Sequence, residues 1–219
     1  MNFNYKKARN LMVENQLKPN KIKEKNILTL FNNTPKENYL PENLKSICYS
    51  DKNFKILENR GYLKNLHMAQ IIHNAKISSN DYVLHIGGLT GYLSTIIANL
   101  CKKLIIIEQD SKILIELQSN LKNLNISNVH IYNSPLEKGY ISNSPYDLII
   151  IDCPMYNLNM NLIDQLNEDN GRMVYIKKIK DDLCKAYILT KNKKNYYQEY
   201  LFDVFSKFSI DKLNNNFRF

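Results

Sequence analysis

The chain has 219 residues, of which 44% are hydrophobic and 23% are charged. This balance is typical of a globular protein and argues against disorder over most of the length, and no run approaches the ~20 apolar residues that span a bilayer. The N-terminus lacks an apolar stretch of signal-peptide length, so we expect a cytoplasmic protein with no membrane partner.

The formal net charge of +9 raises the question of nucleic-acid binding, because Lys and Arg neutralise phosphates. The lysines are spread along the chain rather than clustered, so we do not expect a nucleic-acid partner. The cysteines have no close pair and no His partner at metal-ligand spacing, so we interpret them as reduced thiols and expect no metal. They are Cys48, Cys101, Cys153 and Cys184.

The first third of the chain predicts helices and a long loop. Residues 5–31 carry apolar residues at helical spacing interrupted by Pro19, which predicts two helices joined by a turn. Residues 32–63 contain two prolines and several asparagines, which predicts a loop-rich surface segment of the kind that carries substrate contacts. A helical pattern resumes over residues 66–77.

Strands and helices alternate after residue 81. Short, nearly all-apolar strands are predicted over residues 82–87, 103–109, 129–134 and 146–152. Amphipathic helices are predicted over 91–101, 111–125 and 161–171, the last ending at Gly171. Three further strands are predicted over 172–178, 185–192 and 196–205, and the last two lie close enough in sequence to form an antiparallel edge. The alternation predicts an α/β fold with a mostly parallel sheet covered on both faces.

The stretch "DYVLHIGGLTGYLSTIIANL", residues 81–100, has the pattern of a nucleotide-type binding turn. Ligands of open α/β sheets sit beyond the carboxyl ends of the strands, where Gly87, Gly88 and Gly91 let the backbone turn tightly and approach a ligand. The next strand ends in Glu108, which is placed to accept hydrogen bonds from a ribose diol. The dinucleotide spacing G-x-G-x-x-G is absent, which favours S-adenosylmethionine as the cofactor.

Five segments match motifs of one enzyme family: "MVENQLKPNKIKEKNIL" from Met12, "TPKENYLP" from Thr34, "VLHIGGLTGY" from Val83, "SPYDLIIIDCP" from Ser144 and "LIDQLNEDNGRMV" from Leu162. The second is similar to V-P-R-E-x-F-x-P and the third to V-L-E-I-G-T-G-S-G-Y. These segments lie between residues 12 and 174. Over nearly its whole length the chain resembles a protein-L-isoaspartate O-methyltransferase.

The resemblance implies a Rossmann-like, seven-stranded S-adenosylmethionine-dependent methyltransferase fold, with an N-terminal helical and loop extension. It implies protein repair, in which the carboxylate of an L-isoaspartyl residue in a damaged protein or peptide is methylated. That carboxylate is already ionised at pH 7, so the absence of an obvious acid/base pair does not argue against the reaction. We expect one monomeric domain over 1–219, with N-terminal helices and a substrate loop in 1–76 and the cofactor-binding core in 77–219.

The chain departs from the family pattern in its active-site loop. Aligned without gaps, the family's T-I-S-x-P falls on residues 61–65, so that its serine position is Leu63 and the next residue is Lys64. The threonine and serine hydroxyls are therefore lost. A substrate carboxylate could still be attracted by Lys64, although a solvated lysine is the simpler interpretation.

Three cofactor positions also depart from the family. His85 replaces the acid of the glycine motif, and an imidazole does not attract the positively charged methionine end of the cofactor. Leu89 replaces the middle glycine, which requires strain or a rotated backbone. Ser134 replaces the acid near the adenine and keeps a hydroxyl that can accept one hydrogen bond.

These departures leave two alternatives open. The chain is either an active methyltransferase or a degenerate, repurposed family member that uses the cleft or surface for binding. The segment "DCPMY" from Asp152 loosely resembles the D/N-P-P-Y/F of amino-group methyltransferases, so methylation of RNA or an amine is a third, less favoured alternative.

Overall fold

The computed structural model describes residues 3–124 and 126–211. The strands are β1 Phe54–Lys55, β2 Gly61–Tyr62, β3 Tyr82–Ile86, β4 Lys103–Glu108, β5 Val129–Asn133, β6 Leu148–Ile151, β7 Asp169–Lys180, β8 Leu183–Asn192 and β9 Asn195–Phe205. The helices are α1 Tyr5–Met12, α2 Lys25–Asn33, α3 Glu42–Lys45, α4 Asn65–Ala75, α5 Tyr92–Ala98, α6 Ser111–Lys122 and α7 Asn161–Asp164.

Seven strands form one sheet in the order β5-β4-β3-β6-β7-β8-β9, and β1 pairs with β2 in a separate hairpin. The pairs from β5 through β7 are parallel, whereas β8 and β9 are antiparallel. Successive residues of β3 enter different cores: Val83 belongs to one cluster and Leu84 to the other. This two-sided burial explains the nearly all-apolar strands and confirms the predicted fold.

The N-terminal segment confirms two predictions and corrects one. Helical turns from α1 continue to Asn20, and α2 follows, so Pro19 lies in the predicted turn. The segment 32–63 contains short helices and the β1-β2 hairpin, and much of it is buried rather than lying on the surface. Lys36, Tyr39 and Phe54 are examples of this burial. Strands β1 and β2 have two residues each and pair with each other. Such short strands show no alternation of apolar and polar residues, so the sequence did not reveal them.

The predicted helix over 161–171 is wrong in its second half. Helix α7 ends at Asp164, and Gly171 lies inside β7 instead of ending a helix. A Cβ at Gly171 would lie 2.4 Å from the carbonyl oxygen of Asn167. The apolar residues that suggested a helix, Leu162 and Leu166, are buried, but the hydrogen bonds of the sheet begin before a second helical turn can form.

Two further properties concern the whole described chain. The four cysteines are buried free thiols, which confirms their interpretation. Within residues 3–124 and 126–211, no helix has both the length and the apolar character needed to cross a bilayer.

Candidate cofactor and active site

The glycine turn between β3 and α5 has the backbone geometry that the sequence predicts. Gly87 and Gly91 adopt φ angles of +84° and +101°, in the left-handed region that side chains rarely occupy. Gly88 serves packing, because a Cβ there would lie 2.5 Å from Cγ2 of Ile106 on β4. The turn is therefore pressed against the strand that ends in Glu108.

Leu89 adopts the rotated backbone that its position requires, with φ of +47°. Its side chain is buried in the larger hydrophobic core, and its N–H donates to Oε2 of Glu108 at 3.1 Å. The left-handed conformation of a branched residue costs about 1–2 kcal/mol, which the burial of an apolar side chain offsets. Leu89 thus contributes an N–H to the site, while its side chain packs in the core.

Glu108 is the central carboxylate of the site and is fully buried at the end of β4. Its Oε1 accepts hydrogen bonds from the N–H groups of Gln109 at 2.9 Å and Asp110 at 3.1 Å. A buried carboxylate needs such donors, since an isolated charge away from water is very unfavourable. The backbone around the end of β4 therefore holds this side chain in one position.

Arg60 also holds Glu108, and the sequence analysis did not foresee it. Its Nη1 donates to Oε1 and its Nη2 to Oε2, each at 2.7 Å, and the side chain is 5% exposed. Burial by itself lowers the pKa of Arg60, but the hydrogen bonds and charge of Glu108 outweigh burial and leave that pKa raised. The guanidinium also lies over the glycine turn, since a Cβ at Gly87 would lie 3.1 Å from Nη2.

One signal for Arg60 was available in the sequence. Lysine is by far the commoner cation, and Arg occurs at only four of the 30 Lys and Arg positions, three of them within the described residues. Each of these three pairs with a carboxylate, and Arg60 does so through the planar, bidentate geometry that Arg has and Lys lacks. In a chain this rich in lysine, an arginine marks a specific ion pair.

His85 is buried in a small polar cluster. Its Nδ1 lies 2.9 Å from Oγ of Ser94 on α5, and its Nε2 lies 3.5 Å from Oδ1 of Asp152. Asp152 follows β6 and is 4% exposed, and its Oδ1 has no hydrogen-bond partner among the described residues. The negative charge that is missing at position 85 is thus present on the neighbouring strand.

Ser134 lies beside the end of β4, where its N–H donates to the carbonyl oxygen of Glu108 at 3.3 Å. Its hydroxyl donates to the carbonyl oxygen of Gly139 at 3.1 Å. The oxygen keeps the capacity to accept one further hydrogen bond. Ser134 therefore stands next to the end of β4, as its place in the sequence predicts.

The active-site loop is packed more tightly than the sequence suggested. A Cβ at Gly61 would lie 2.0 Å from the carbonyl oxygen of Phe54 and 2.7 Å from Cζ of Phe208, so no threonine fits there without a shift of the hairpin. Leu63 is 1% exposed and belongs to the core, whereas Lys64 reaches the surface and its Nζ lies 3.4 Å from Asp51. Leu63 and Lys64 therefore do not line the glycine turn.

Tyr62, which directly precedes Leu63, contacts the glycine turn, whereas Leu63 and Lys64 do not. Its hydroxyl lies 2.9 Å from Oγ1 of Thr90 in the glycine turn and accepts from the N–H of Tyr92 at 3.1 Å. The hydroxyl of Thr90 in turn donates to the carbonyl oxygen of Tyr39. The turn is consequently bound to the N-terminal segment through a chain of buried hydrogen bonds.

In the segment that resembles D/N-P-P-Y/F, three backbone N–H groups already have hydrogen-bond partners. Met155 donates to Ile176 on β7 at 2.9 Å, and the N–H groups of Tyr156 and Asn157 donate to the carboxylate of Asp211 at 2.7 and 2.9 Å. Burial raises the pKa of Cys153 well above its usual range, so its thiol stays protonated. After Asp152, the backbone N–H groups of residues 155–157 are therefore already paired, which weighs against that alternative.

A surface cleft of about 480 Å³ opens beside Arg60. It is lined by Arg60, Glu58, Gln109, Asp110 and Ile210, among others. Gln109 and Asp110 directly follow Glu108, so the cleft lies at the carboxyl edge of the sheet, where α/β proteins bind ligands. Arg60 forms part of its wall.

A model of the protein-L-isoaspartate(D-aspartate) O-methyltransferase family matches residues 7–204. The chain belongs to this family. The sequence-based resemblance is therefore confirmed, and the match includes both the N-terminal segment and the sheet.

Curated relatives of the family carry the same name at modest identity. The protein-L-isoaspartate O-methyltransferase of Methanoculleus marisnigri is 27% identical over 77% of this chain and 76% of its own length. That of Dictyoglomus thermophilum is 28% identical over 90% of this chain and 88% of its own length. Both matches extend over most of each protein.

A solved structure of a protein-L-isoaspartate O-methyltransferase has the same fold. It superposes with a TM-score of 0.76 at 20% identity, covering 92% of this chain and 64% of that chain. At this identity the likeness shows the fold alone. The chain spans about two thirds of that protein's length.

Proposed function

We propose that this protein is an S-adenosylmethionine-dependent O-methyltransferase that methylates the carboxylate of L-isoaspartyl residues in damaged proteins or peptides. The observation that carries the proposal is the buried Glu108 at the end of β4, facing the left-handed turn at Gly87 and Gly91, in a chain of this family. A strand-end acid beyond a glycine turn is the arrangement that binds a nucleoside ribose.

The donor set fits the cofactor at three points. Glu108 would accept hydrogen bonds from the ribose, and Ser134 would lie near the adenine. The buried carboxylate of Asp152 would face the positively charged methionine end, because its Oδ1 accepts no hydrogen bond within the described residues and has only Nε2 of His85 nearby, at 3.5 Å. Gly87 and Gly91 would leave room for the backbone to approach the ligand.

When bound, the cofactor supplies an electrophilic methyl group on a sulfonium. The substrate carboxylate is ionised at pH 7 and needs no general base, so the task of the protein is to hold an oxygen of that carboxylate in line and to exclude water. Lys64 is the basic side chain of the active-site loop that reaches the surface, and we assign it the attraction of the substrate carboxylate. Leu63 contributes packing to the loop.

We propose that residues 1–219 act as one monomeric domain in the cytoplasm. In this division, residues 1–76 provide the substrate side and residues 77–219 the cofactor side. The hydrogen bonds from Tyr62 to the glycine turn support this division, because they join the two parts directly at the site. Damaged proteins or peptides are the expected partners, and nucleic acid is not.

The test combines binding and methyl transfer. Calorimetric titration with S-adenosylmethionine and S-adenosylhomocysteine should give a dissociation constant of about 1–100 μM, or roughly 5.5–8 kcal/mol. Tritiated cofactor should then label an isoaspartyl peptide but not the same peptide with a normal aspartate. Binding without any labelling would contradict the proposed reaction while leaving the cofactor assignment in place.

The packing of the active-site loop favours one second candidate, a degenerate family member that binds a partner. Gly61 has no room for the threonine side chain and Leu63 is buried. If the wild-type protein transfers no methyl group, Leu63→Ser tests this candidate. Gain of isoaspartyl labelling in that variant would favour a repurposed protein that has lost activity through its loop.

A further inference from the structure

The carboxylate of Glu108, which the proposed function assigns to the ribose, already binds a guanidinium of the protein itself. We propose that Arg60 is an internal competitor of the cofactor: its guanidinium holds Glu108 in the unliganded protein and must leave before the ribose can bind. This inference rests on the proposed function, because it concerns the affinity for S-adenosylmethionine. It makes Arg60 the residue that sets that affinity.

The hydrogen-bond capacity of Glu108 carries the argument. Its Oε1 accepts from Nη1 of Arg60 and from the N–H groups of Gln109 and Asp110, while its Oε2 accepts from Nη2 of Arg60 and the N–H of Leu89. An ionised carboxylate has about four lone-pair sites. These five donors already saturate it, so a ribose diol finds no free acceptor.

The guanidinium is also the right shape for this competition. Arg presents two parallel N–H donors to one carboxylate, and a ribose hydroxyl would be a donor to the same carboxylate, where departure of the guanidinium leaves about one lone-pair site for it, on Oε2. The three backbone donors belong to the turn and to the end of β4, so they remain when a ligand arrives. Arg60 is the one donor on Glu108 that can swing away, because it is a side chain.

The surroundings of Arg60 provide a place for the displaced guanidinium. Arg60 ends the turn of the β1-β2 hairpin, where its carbonyl oxygen accepts from the N–H groups of Ile56 at 3.1 Å and Leu57 at 2.8 Å. Glu58 is exposed and Asp110 is half-buried, and both line the same cleft of about 480 Å³ beside Arg60. A side-chain rotation would thus move the guanidinium from the buried Glu108 toward the exposed carboxylate of Glu58, while the hairpin backbone stays in place.

The experiment compares binding of S-adenosylhomocysteine to wild type and to Arg60→Met by calorimetry. The methionine side chain fills similar space but donates no hydrogen bond, so we expect it to tighten binding at least tenfold. Lys122→Met is the control, because it removes an exposed positive charge from α6 outside the cleft beside Arg60. Its dissociation constant should stay within twofold of wild type.

The possible outcomes separate the two proposals. Equal or weaker binding by Arg60→Met, with measurable binding by wild type, overturns the competition and leaves the proposed function standing. No binding to either protein at millimolar ligand, with both folded by circular dichroism, overturns both. Tighter binding by Arg60→Met, with the control variant unchanged, supports both the competition and the proposed function.

A second variant and a second measurement cover the case in which Arg60→Met does not fold. Arg60→Gln keeps one neutral donor for Glu108 and should tighten binding several-fold. In the wild-type protein, nitrogen-15 NMR of the arginine side chains should show resolved Nη signals for the clamped guanidinium, and S-adenosylhomocysteine should collapse them by freeing the group. Nη signals that persist at saturating ligand would contradict the displacement.

Discussion

Two arginine-carboxylate pairs lie at opposite ends of the same sheet. Arg60 and Glu108 meet beyond the carboxyl ends of the strands, with side chains 5% and 0% exposed, whereas Arg172 and Asp81 meet at the amino end, 18% and 10% exposed. Arg60 gives both Nη groups to its carboxylate. Arg172 shares its donors with the carbonyl oxygens of residues 75 and 76.

The difference shows how one type of ion pair can serve two purposes. Arg172 connects β7, the end of α4 and the turn before β3, so it has several partners that nothing else replaces. Arg60 has one partner, and that partner stands where the fold binds ligands. The first pair is structural, and the second is the one a ligand can open.

The largest effect should come from breaking the structural pair. Arg172→Met leaves Asp81 with a buried charge and the carbonyl oxygens of Ala75 and Lys76 without their donors. Removing one partner of a buried pair costs about 3–5 kcal/mol, so urea unfolding should show a loss in this range. A loss below about 1 kcal/mol would mean that this end of the sheet is held by apolar packing alone.

A change in the Arg60-Glu108 pair should alter the affinity for the cofactor. Glu108→Gln removes the charge that we propose accepts a ribose hydrogen bond, worth ~1.5–3 kcal/mol, and should weaken binding of S-adenosylhomocysteine about tenfold or more by calorimetry. The exposed Glu116→Gln on α6 is the control for a change of net charge. Unchanged binding in Glu108→Gln would show that the ribose does not bind to this carboxylate.

Lys36 is a buried cation that contrasts with both pairs, because its Nζ donates to the neutral Oδ1 of Asn65 at 2.9 Å and lies near the rings of Phe54, Tyr62 and Tyr92. Burial lowers its pKa from 10.5 to about 7, although the charge of Cys48 opposes the shift. Between pH 7 and pH 10.5 the unfolded chain therefore binds a proton that the folded protein does not.

The contribution of Lys36 to stability should rise with pH across this window, because the unfolded state carries the extra proton. One proton corresponds to up to ~1.4 kcal/mol per pH unit. The free energy of unfolding, measured with urea at pH 7.5 and pH 9, should rise with pH more steeply in wild type than in Lys36→Met, by an amount of this order. The exposed Lys112→Met is the control and should show the pH dependence of wild type. Parallel slopes would mean that Lys36 stays charged when folded.

The smallest change in stability and binding is expected at Asp152, which has no arginine partner. Asp152→Asn removes a buried charge, so the free energy of unfolding should hold or rise slightly. Binding of S-adenosylmethionine should weaken by about 1 kcal/mol, roughly fivefold, whereas the uncharged sulfur of S-adenosylhomocysteine should make its loss smaller. Equal losses for the two ligands would show that Asp152 does not sense the sulfonium charge.

Parts of the site were predictable from local pattern. Gly87 and Gly91 adopt positive φ angles, Leu89 has the rotated backbone it requires, and Glu108 ends the second strand of the sheet's core. Each of these depends on a strand, a turn and the next strand, which lie within about thirty residues of one another. The assignment of ligands to these residues stays a prediction.

Other parts could not be predicted, because they join residues distant in sequence. Arg60 and Glu108 are 48 residues apart, and His85 meets Asp152 only because β3 and β6 are neighbours in the sheet. The tight contact of Gly61 with Phe208 likewise brings the last described segment onto the active-site loop. No periodicity or spacing encodes such a contact.

The sequence alone determined the α/β class, the family, the glycine turn and the strand-end carboxylate, since apolar periodicity and glycine placement act over short stretches of chain. The tertiary structure alone decided which groups surround that carboxylate. Burying Glu108 demands donors for every lone pair, and only the folded chain could bring Arg60 to supply them. In the proposed competition, the cofactor takes the place of this ion pair on Glu108.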